Sequence, residues 1–484
     1  MGKTNFGGKV LVLGCGAVSQ CTLPLLFKLI DIAPDRVSLL DFVDNRERIS
    51  DEIKAGVHYI LERITPENYA SVLAAQLAAG DLLIDLSWNI DSLVMLEWCR
   101  DHGVHYLNTS LEVWDPFSET KRVDPRRYTL YSRQMRLLEM IHRWGENNGS
   151  SAVIDHGANP GLVSHFTKKA LIDIASHSCR SEAGTPTGRL LERALADRDF
   201  SRMAQHSGVK VIHISERDTQ VCDAPKMPDE FVNTWSVAGL YEEAVAPAEL
   251  GWGTHEETLP VDAWCYEQGP NNQVCLSSMG MNTWARSWVP HSEIIGMIIR
   301  HGEAFGISDR LTVWEGARAV YRPTVHYVYC PSDSALASLH ELRMRRYNLQ
   351  PQVRILNEEI KAGEDRLGVL LMGHALKSWW AGSLLEIGES RKLIPGQNAT
   401  TLQVAVAVLA GACWMIKHPR AGVRLPDDLD HEEILETAAP YLGTVISEAV
   451  DWSPSLTDNW SVDIPGAPRQ KPSDCWQFSA FRAY

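Results

Sequence analysis

"KVLVLGCGAVSQCTLPLLFKLI", residues 9–30, decides how the first third of this chain folds. It opens with a continuous apolar run, the pattern of a parallel strand covered on both faces. The turn Gly14-Cys15-Gly16-Ala17-Val18-Ser19 follows, and then a helical pattern. This is a GxGxxS form of the dinucleotide fingerprint. Gly14 permits the tight turn, and Gly16 lets a pyrophosphate approach the backbone at the helix N-terminus. Ser19 replaces the third glycine, which serves helix–strand packing, with another small residue. Asp41 ends the next strand, where an acid hydrogen-bonds a ribose 2′-hydroxyl and repels a 2′-phosphate, so NAD is expected rather than NADP. An empty α/β scaffold is the competing reading of so short a fingerprint.

Further strand candidates lie at 36–41, 56–61, 81–88, 104–110 and 151–157, with helical patterns at 68–79, 92–102 and 128–144. That alternation predicts an α/β fold with a Rossmann-type parallel sheet over residues 1–155. From about 210 onward, short apolar runs broken by Gly and Pro predict an inserted mixed α+β domain. It is taken to span 156–395 and to serve substrate binding and dimerisation. The segment 180–209 reads as an irregular charged connection with short helices. "TLQVAVAVLAGACWMIKH" (401–418) is apolar nearly all round and reads as a buried helix. Residues 396–484 are expected to pack back on the first domain as helices and a tail, with 451–484 an ordered irregular wrap.

The 484 residues carry a formal charge of −15, which argues against nucleic acid or an anionic membrane as partner. Ten scattered cysteines form no CxxC pair, so neither a metal site nor a disulfide framework is expected, and a reducing, cytoplasmic compartment is. The N-terminus lacks a cleavage-site pattern and fails the myristoylation motif at Phe6. The longest apolar stretch is too short, and Gln403 interrupts it, so no membrane span is expected.

The stretch "FVNTWSVAGLYEEAVAPAELGWGTHEE" (231–257) holds five carboxylates, four aromatic rings and no lysine or arginine. Acids and indole faces together suit an organic cation; a solvated acidic loop is the bland alternative. If extended, the stretch projects Trp235 and Glu243 to the same side. Glu216 ends an apolar strand in "HISERDTQ", although a surface ion-pair cluster explains that motif equally well. His301-Gly302-Glu303 reads as a loop, and its HxE spacing alone is no metal motif. Asp365 in "GEDRLG" reads locally as a turn aspartate.

Four long segments, "GVKVIHISERDTQ", the 231–257 stretch, "VYRPTVHYVYCPSDSALASLHE" and "NATTLQVAVAVLAG", together resemble the bacterial NAD-dependent homospermidine synthase family, relatives of the saccharopine dehydrogenase group. The resemblance runs from Gly14 to about Trp452. It implies a homodimer, tightly held NAD, and a redox-neutral reaction that joins two putrescine molecules through imines with release of ammonia. It places catalytic positions on Asn159, Glu216, Trp235, Glu243, His301, Glu303 and Asp365, with Glu112 binding the diamine. Asn89 stands where the family has an aspartate, which keeps a hydrogen bond but removes a charge. Cofactor contacts are expected at Gly14, Gly16, Ala17, Val18, Ser19, Asp41, Ser87 and Thr109. Two rivals stay open. One is a reductase coupling an amine to an amino-acid semialdehyde, which needs a cation such as Arg217 or Arg322 for the substrate carboxylate. The other is a non-catalytic NAD-binding protein.

Overall fold

Strand Val10–Leu13 is buried along its whole length and pairs in parallel with Val37–Asp41 on one side and Leu82–Asp85 on the other. The sheet grows outward from it in the order 58–61, 37–41, 10–13, 82–85, 105–108, 152–153, 423–424, with every pair parallel. Helices Ala17–Leu29, Tyr69–Gln76, Ser92–His102 and Leu130–Trp144 alternate with the strands. Chain order reverses beside Val10–Leu13, and ligands of open α/β sheets bind at such a switch point. This computed structural model describes residues 2–115, 126, 129–266, 268–454 and 474–483.

The chain leaves the first sheet after Val153 and returns through helix Ala399–Lys417, which packs against Ala17–Leu29. That returning helix is long and apolar enough to cross a membrane, yet nearly all of its side chains are buried inside the protein. It then delivers the seventh strand, Val423–Arg424, to the edge at Ala152–Val153.

A second, eleven-stranded sheet is built around Val211–Asp218. This strand runs parallel to Thr324–Cys330 and antiparallel to Glu364–His374, so the sheet is mixed, as expected. Helices Pro186–Ala196 and Phe200–Ser207 make up most of the connection leading to it. The C-terminal segment does not pack on the first domain alone. Thr444–Val450 covers the outer edge of Lys377–Glu386 in the second sheet, and Arg482–Ala483 pairs with Trp284–Val289. Exposed strand edges invite such cover. Of the expected tail wrap, residues 455–473 lie outside the described residues, while Phe478 and Phe481 are buried in the second sheet's core. All ten cysteines are free; six are buried, and Cys265 is exposed.

Candidate active site

The glycine turn is shaped by contacts on both sides. Gly14 sits at φ 85° with its N–H on Leu40 O, and a Cβ there would stand 2.9 Å from Leu86 O. Gly16 precedes helix Ala17–Leu29, which has no side-chain cap, and a Cβ on Gly16 would meet nothing within 4 Å. That leaves an open ledge in front of uncapped N–H groups, the requirement of a diphosphate. Asp41 accepts hydrogen bonds from Cys15 N at 2.6 Å and Val43 N at 2.8 Å, so the acid also braces the turn. Ser19 is fully buried at the helix–strand contact. The residues fit a dinucleotide.

Val18, Ser87 and Thr109 carry this ledge into a cavity of about 220 Å³. Asn159 and Glu216 line it, with Asn159 Nδ2 donating to Glu216 Oε2 at 2.6 Å and the Tyr327 hydroxyl donating to the same oxygen at 2.5 Å. Burial pushes Glu216 up to about 7, with nearby Asp218 adding to the rise and the two hydrogen bonds opposing it. Asp365 is fully buried and stands behind the cavity wall, accepting from the lining Thr400 hydroxyl at 2.6 Å. Burial, with Glu216 and Asp218 alongside, holds it well above the usual carboxylate range.

Trp235, Glu243 and His301 line the same cavity. The Trp235 indole N–H is fixed by the Tyr329 hydroxyl at 2.9 Å. His301 Nε2 lies 3.4 Å from Glu243 Oε1, and its Nδ1 lies 3.3 Å from Glu303 Oε2. Burial pulls the imidazole pKa down, but Glu303 and Glu243 outweigh it and hold it well above the ordinary value.

Two local expectations are corrected. Residues 237–245 are helical rather than extended, because Ser236 caps the segment by accepting from Gly239 N, and Leu, Glu and Ala favour the helix. Trp235 and Glu243 therefore reach one cavity from before the cap and from the helix, not by strand parity. The His301-Gly302-Glu303 stretch is likewise a loop only at His301, which keeps extended backbone just ahead of helix Gly302–Arg310; the first turn of that helix holds Glu303, where an acid suits the helix dipole.

Glu112 lines the cavity with Oε1 on the Ser110 hydroxyl at 2.7 Å and Oε2 without a partner. Burial pushes it up to about 7, and Glu242 adds to the rise. Asn89 stands outside the lining at φ 65°, a conformation asparagine tolerates, with a buried Oδ1 unpartnered. Glu249, on strand Pro247–Gly251, is no cavity group; it accepts from Leu130 N and Tyr131 N at the start of helix Leu130–Trp144.

Sequence reasoning missed Arg133, Arg300, Glu242, Trp88 and Asp155, all of which line the cavity. Glu242 ties the two arginines together, accepting from Arg133 at 2.9 Å and from Arg300, and it also accepts from the Trp88 indole at 3.2 Å. A signal existed for Arg133, which falls on the buried stripe of helix Leu130–Trp144 with Leu137 and Met140. Arg217 and Arg322, the cations a carboxylated substrate would need, lie elsewhere. Arg217 binds Pro331 O and Asp333, while Arg322 binds Thr312, Pro270 O and Asn271 O.

Two family models divide the chain: the saccharopine dehydrogenase NADP binding domain over residues 10–153 and the saccharopine dehydrogenase C-terminal domain over 157–450. The homospermidine synthase of Blastochloris viridis is 38% identical across 97% of this chain and 96% of its own length. The chain belongs to the homospermidine synthase family. A second homospermidine synthase, from Mesorhizobium japonicum, is 37% identical across 92% of this chain and 91% of its own length. The Legionella pneumophila homospermidine synthase, solved in complex with NAD, is 36% identical. It matches with a TM-score of 0.86, covering 100% of this chain and 99% of that one. The family resemblance read from the long segments and the Rossmann-plus-mixed-sheet fold are thus both found.

Proposed function

We infer that this protein is a homospermidine synthase that uses NAD as a bound redox cofactor to join two putrescine molecules, releasing ammonia. The observation that carries the reading is one cavity with the dinucleotide ledge at one end and Glu216, Glu243, His301 and Trp235 around the other, in a chain 38% identical to a homospermidine synthase. When bound, NAD takes a hydride from an amine-bearing carbon and returns it. Its expected contacts are Gly14, Gly16, Ala17, Val18, Ser19, Asp41, Ser87 and Thr109.

The chain's own residues supply the rest. Putrescine is a dication at neutral pH, since an alkylammonium has a pKa near roughly 10.4. One nitrogen must lose a proton before its carbon can be oxidised. Glu216, held near 7, takes that proton, and Asn159 fixes the carboxylate orientation. Asp365 stands behind this carboxylate, accepting from the lining Thr400 hydroxyl. Trp235 faces the iminium that develops, worth about 0.5–2 kcal/mol. His301, between Glu243 and Glu303, passes a proton between the incoming and departing amines. Glu112 holds the distal ammonium, and Asn89 contributes at most an outer hydrogen bond. The buried walls keep water from the imine.

A semialdehyde-coupling reductase is not favoured, because both cavity arginines are bound by Glu242 rather than left for a substrate carboxylate. We place the enzyme in the cytoplasm as a homodimer. Ten cysteines that form no disulfide suit a reducing compartment, and the dimer follows from the family resemblance. The test is a product assay with purified protein, putrescine and a trace of NAD. Equal homospermidine and ammonia, far exceeding the NAD supplied and without NADH build-up, is the expected result. NADH accumulating with amine consumption would identify an ordinary dehydrogenase instead.

A further inference from the structure

Behind His301, the active-site cavity adjoins a much smaller space of about 10 Å³, the room one water-sized guest needs. Asp155, Pro160 and Gly302 line both spaces. The small space in turn shares Ser164 and Asp427 with a third cavity of about 180 Å³, which reaches exposed Arg198. Through these shared residues the three adjoin in sequence, from the reaction centre to the C-terminal end of helix Gly302–Arg310.

The middle space is furnished for a guest that donates hydrogen bonds. Asp155 Oδ1, Gln134 Oε1 and Glu303 Oε1 are buried without a hydrogen-bond partner, in side chains no more than 4% exposed, while Glu303 Oε2 faces His301 Nδ1 at 3.3 Å. All are acceptors. Unsatisfied buried acceptors cost free energy unless a guest supplies N–H or O–H groups. Two glycines one helical turn apart keep the space open. A Cβ on Gly302 would stand 2.6 Å from Asp155 Oδ2, and one on Gly306 2.5 Å from Asp427 Oδ2.

We propose that this series of spaces is the exit path for the ammonia released in the reaction, separate from the front by which diamines enter. The inference rests on the synthase reading above. The second amine adds to the iminium carbon, a proton passes from it to the first nitrogen, and the original C–N bond breaks. The first nitrogen then leaves as neutral NH₃ while the second putrescine still fills the cavity. A departing group therefore needs a way out that does not displace the attacking substrate. The constriction passes NH₃ and stops a diamine.

The test blocks the path from opposite walls with Gly306→Val and, separately, Ser164→Leu, neither of which touches substrate or cofactor in the account above. Homospermidine formation should fall about tenfold. Incorporation of isotopically labelled ammonium from solution into putrescine during turnover should fall with it. NAD affinity and putrescine-dependent nicotinamide reduction in the first turnover should stay at wild-type values. Full turnover and full label exchange in both variants would overturn the path. So would a first-turnover reduction that falls as far as turnover does in both, since the block would then act on chemistry rather than release. A wild-type protein that makes no homospermidine would overturn the functional reading itself, a result visible before any variant is made.

Discussion

Trp235 and Glu243 carry the sharpest expectations at the scale of single residues. Trp235→Ala removes the face against the iminium but leaves the carboxylates, so kcat should fall by roughly two- to thirtyfold. Trp235→Phe, which keeps a weaker ring, should recover part of that loss. Glu243→Gln lowers the charge around His301, and the pKa seen in the pH–rate profile should drop along with activity. Glu242→Gln is a different case, because it removes the negative charge that two buried guanidiniums share. About 3–5 kcal/mol of stability should be lost, read by chemical denaturation. Gly14, Gly16 and Asp41 were legible because strand, turn and helix fix the meaning of each. Glu303 and Asp365 were legible only through the family resemblance, since nothing local separates a buried acid from a surface one. Asp155 and Glu242 escaped notice because one follows a short apolar strand and the other is the neighbour of Glu243, to which the family resemblance drew the reading.

Among elements, the helix Val237–Val245 shows where local reasoning fell short. Its acids and aromatics announced an amine, yet period-two counting assumed an extended chain. Ser236, a good cap, was the overlooked cue. Ser236→Ala should cost about 0.5–2 kcal/mol in unfolding free energy. Because this cap orders the segment between Trp235 and Glu243, putrescine KM should rise as well. The strands of the first sheet begin within two residues of where they were read, because each is short and apolar, but 82–85 and 152–153 end three and four residues early and the edge strand 423–424 was not foreseen. The C-terminal segment was harder. Its contribution to both sheets depends on which edges are open, and that is a property of the assembled fold.

For the whole molecule, the acids in the cavity tie stability to pH. Glu112, Asp155 and Glu216 are each pushed up to about 7, chiefly by burial. Their unfolded values lie near roughly 4. The folded protein therefore binds more protons across that window, and its stability falls as pH rises from about 4 to about 7. His301, raised well above its ordinary value, acts in the same direction, stabilising at low pH and losing that contribution as pH passes its folded pKa. Buried His156, His326 and His374, held down by desolvation to about 4, 3 and 4, act in the opposite direction below roughly 6.5. The acids' share is therefore read against Glu112→Gln: the wild-type melting temperature should fall relative to that variant's as pH rises across the window. Putrescine should restore it more strongly above neutrality, where the acids are ionised and a dication binds them.

The central claim is that one hydride leaves putrescine and returns without escaping. Putrescine deuterated at both nitrogen-bearing carbons, supplied with catalytic NAD and an excess of unlabelled NADH, tests it by mass spectrometry of the homospermidine. Retention of every deuterium is the predicted result. Loss of one deuterium per product molecule, replaced by hydrogen from the added NADH, would contradict it.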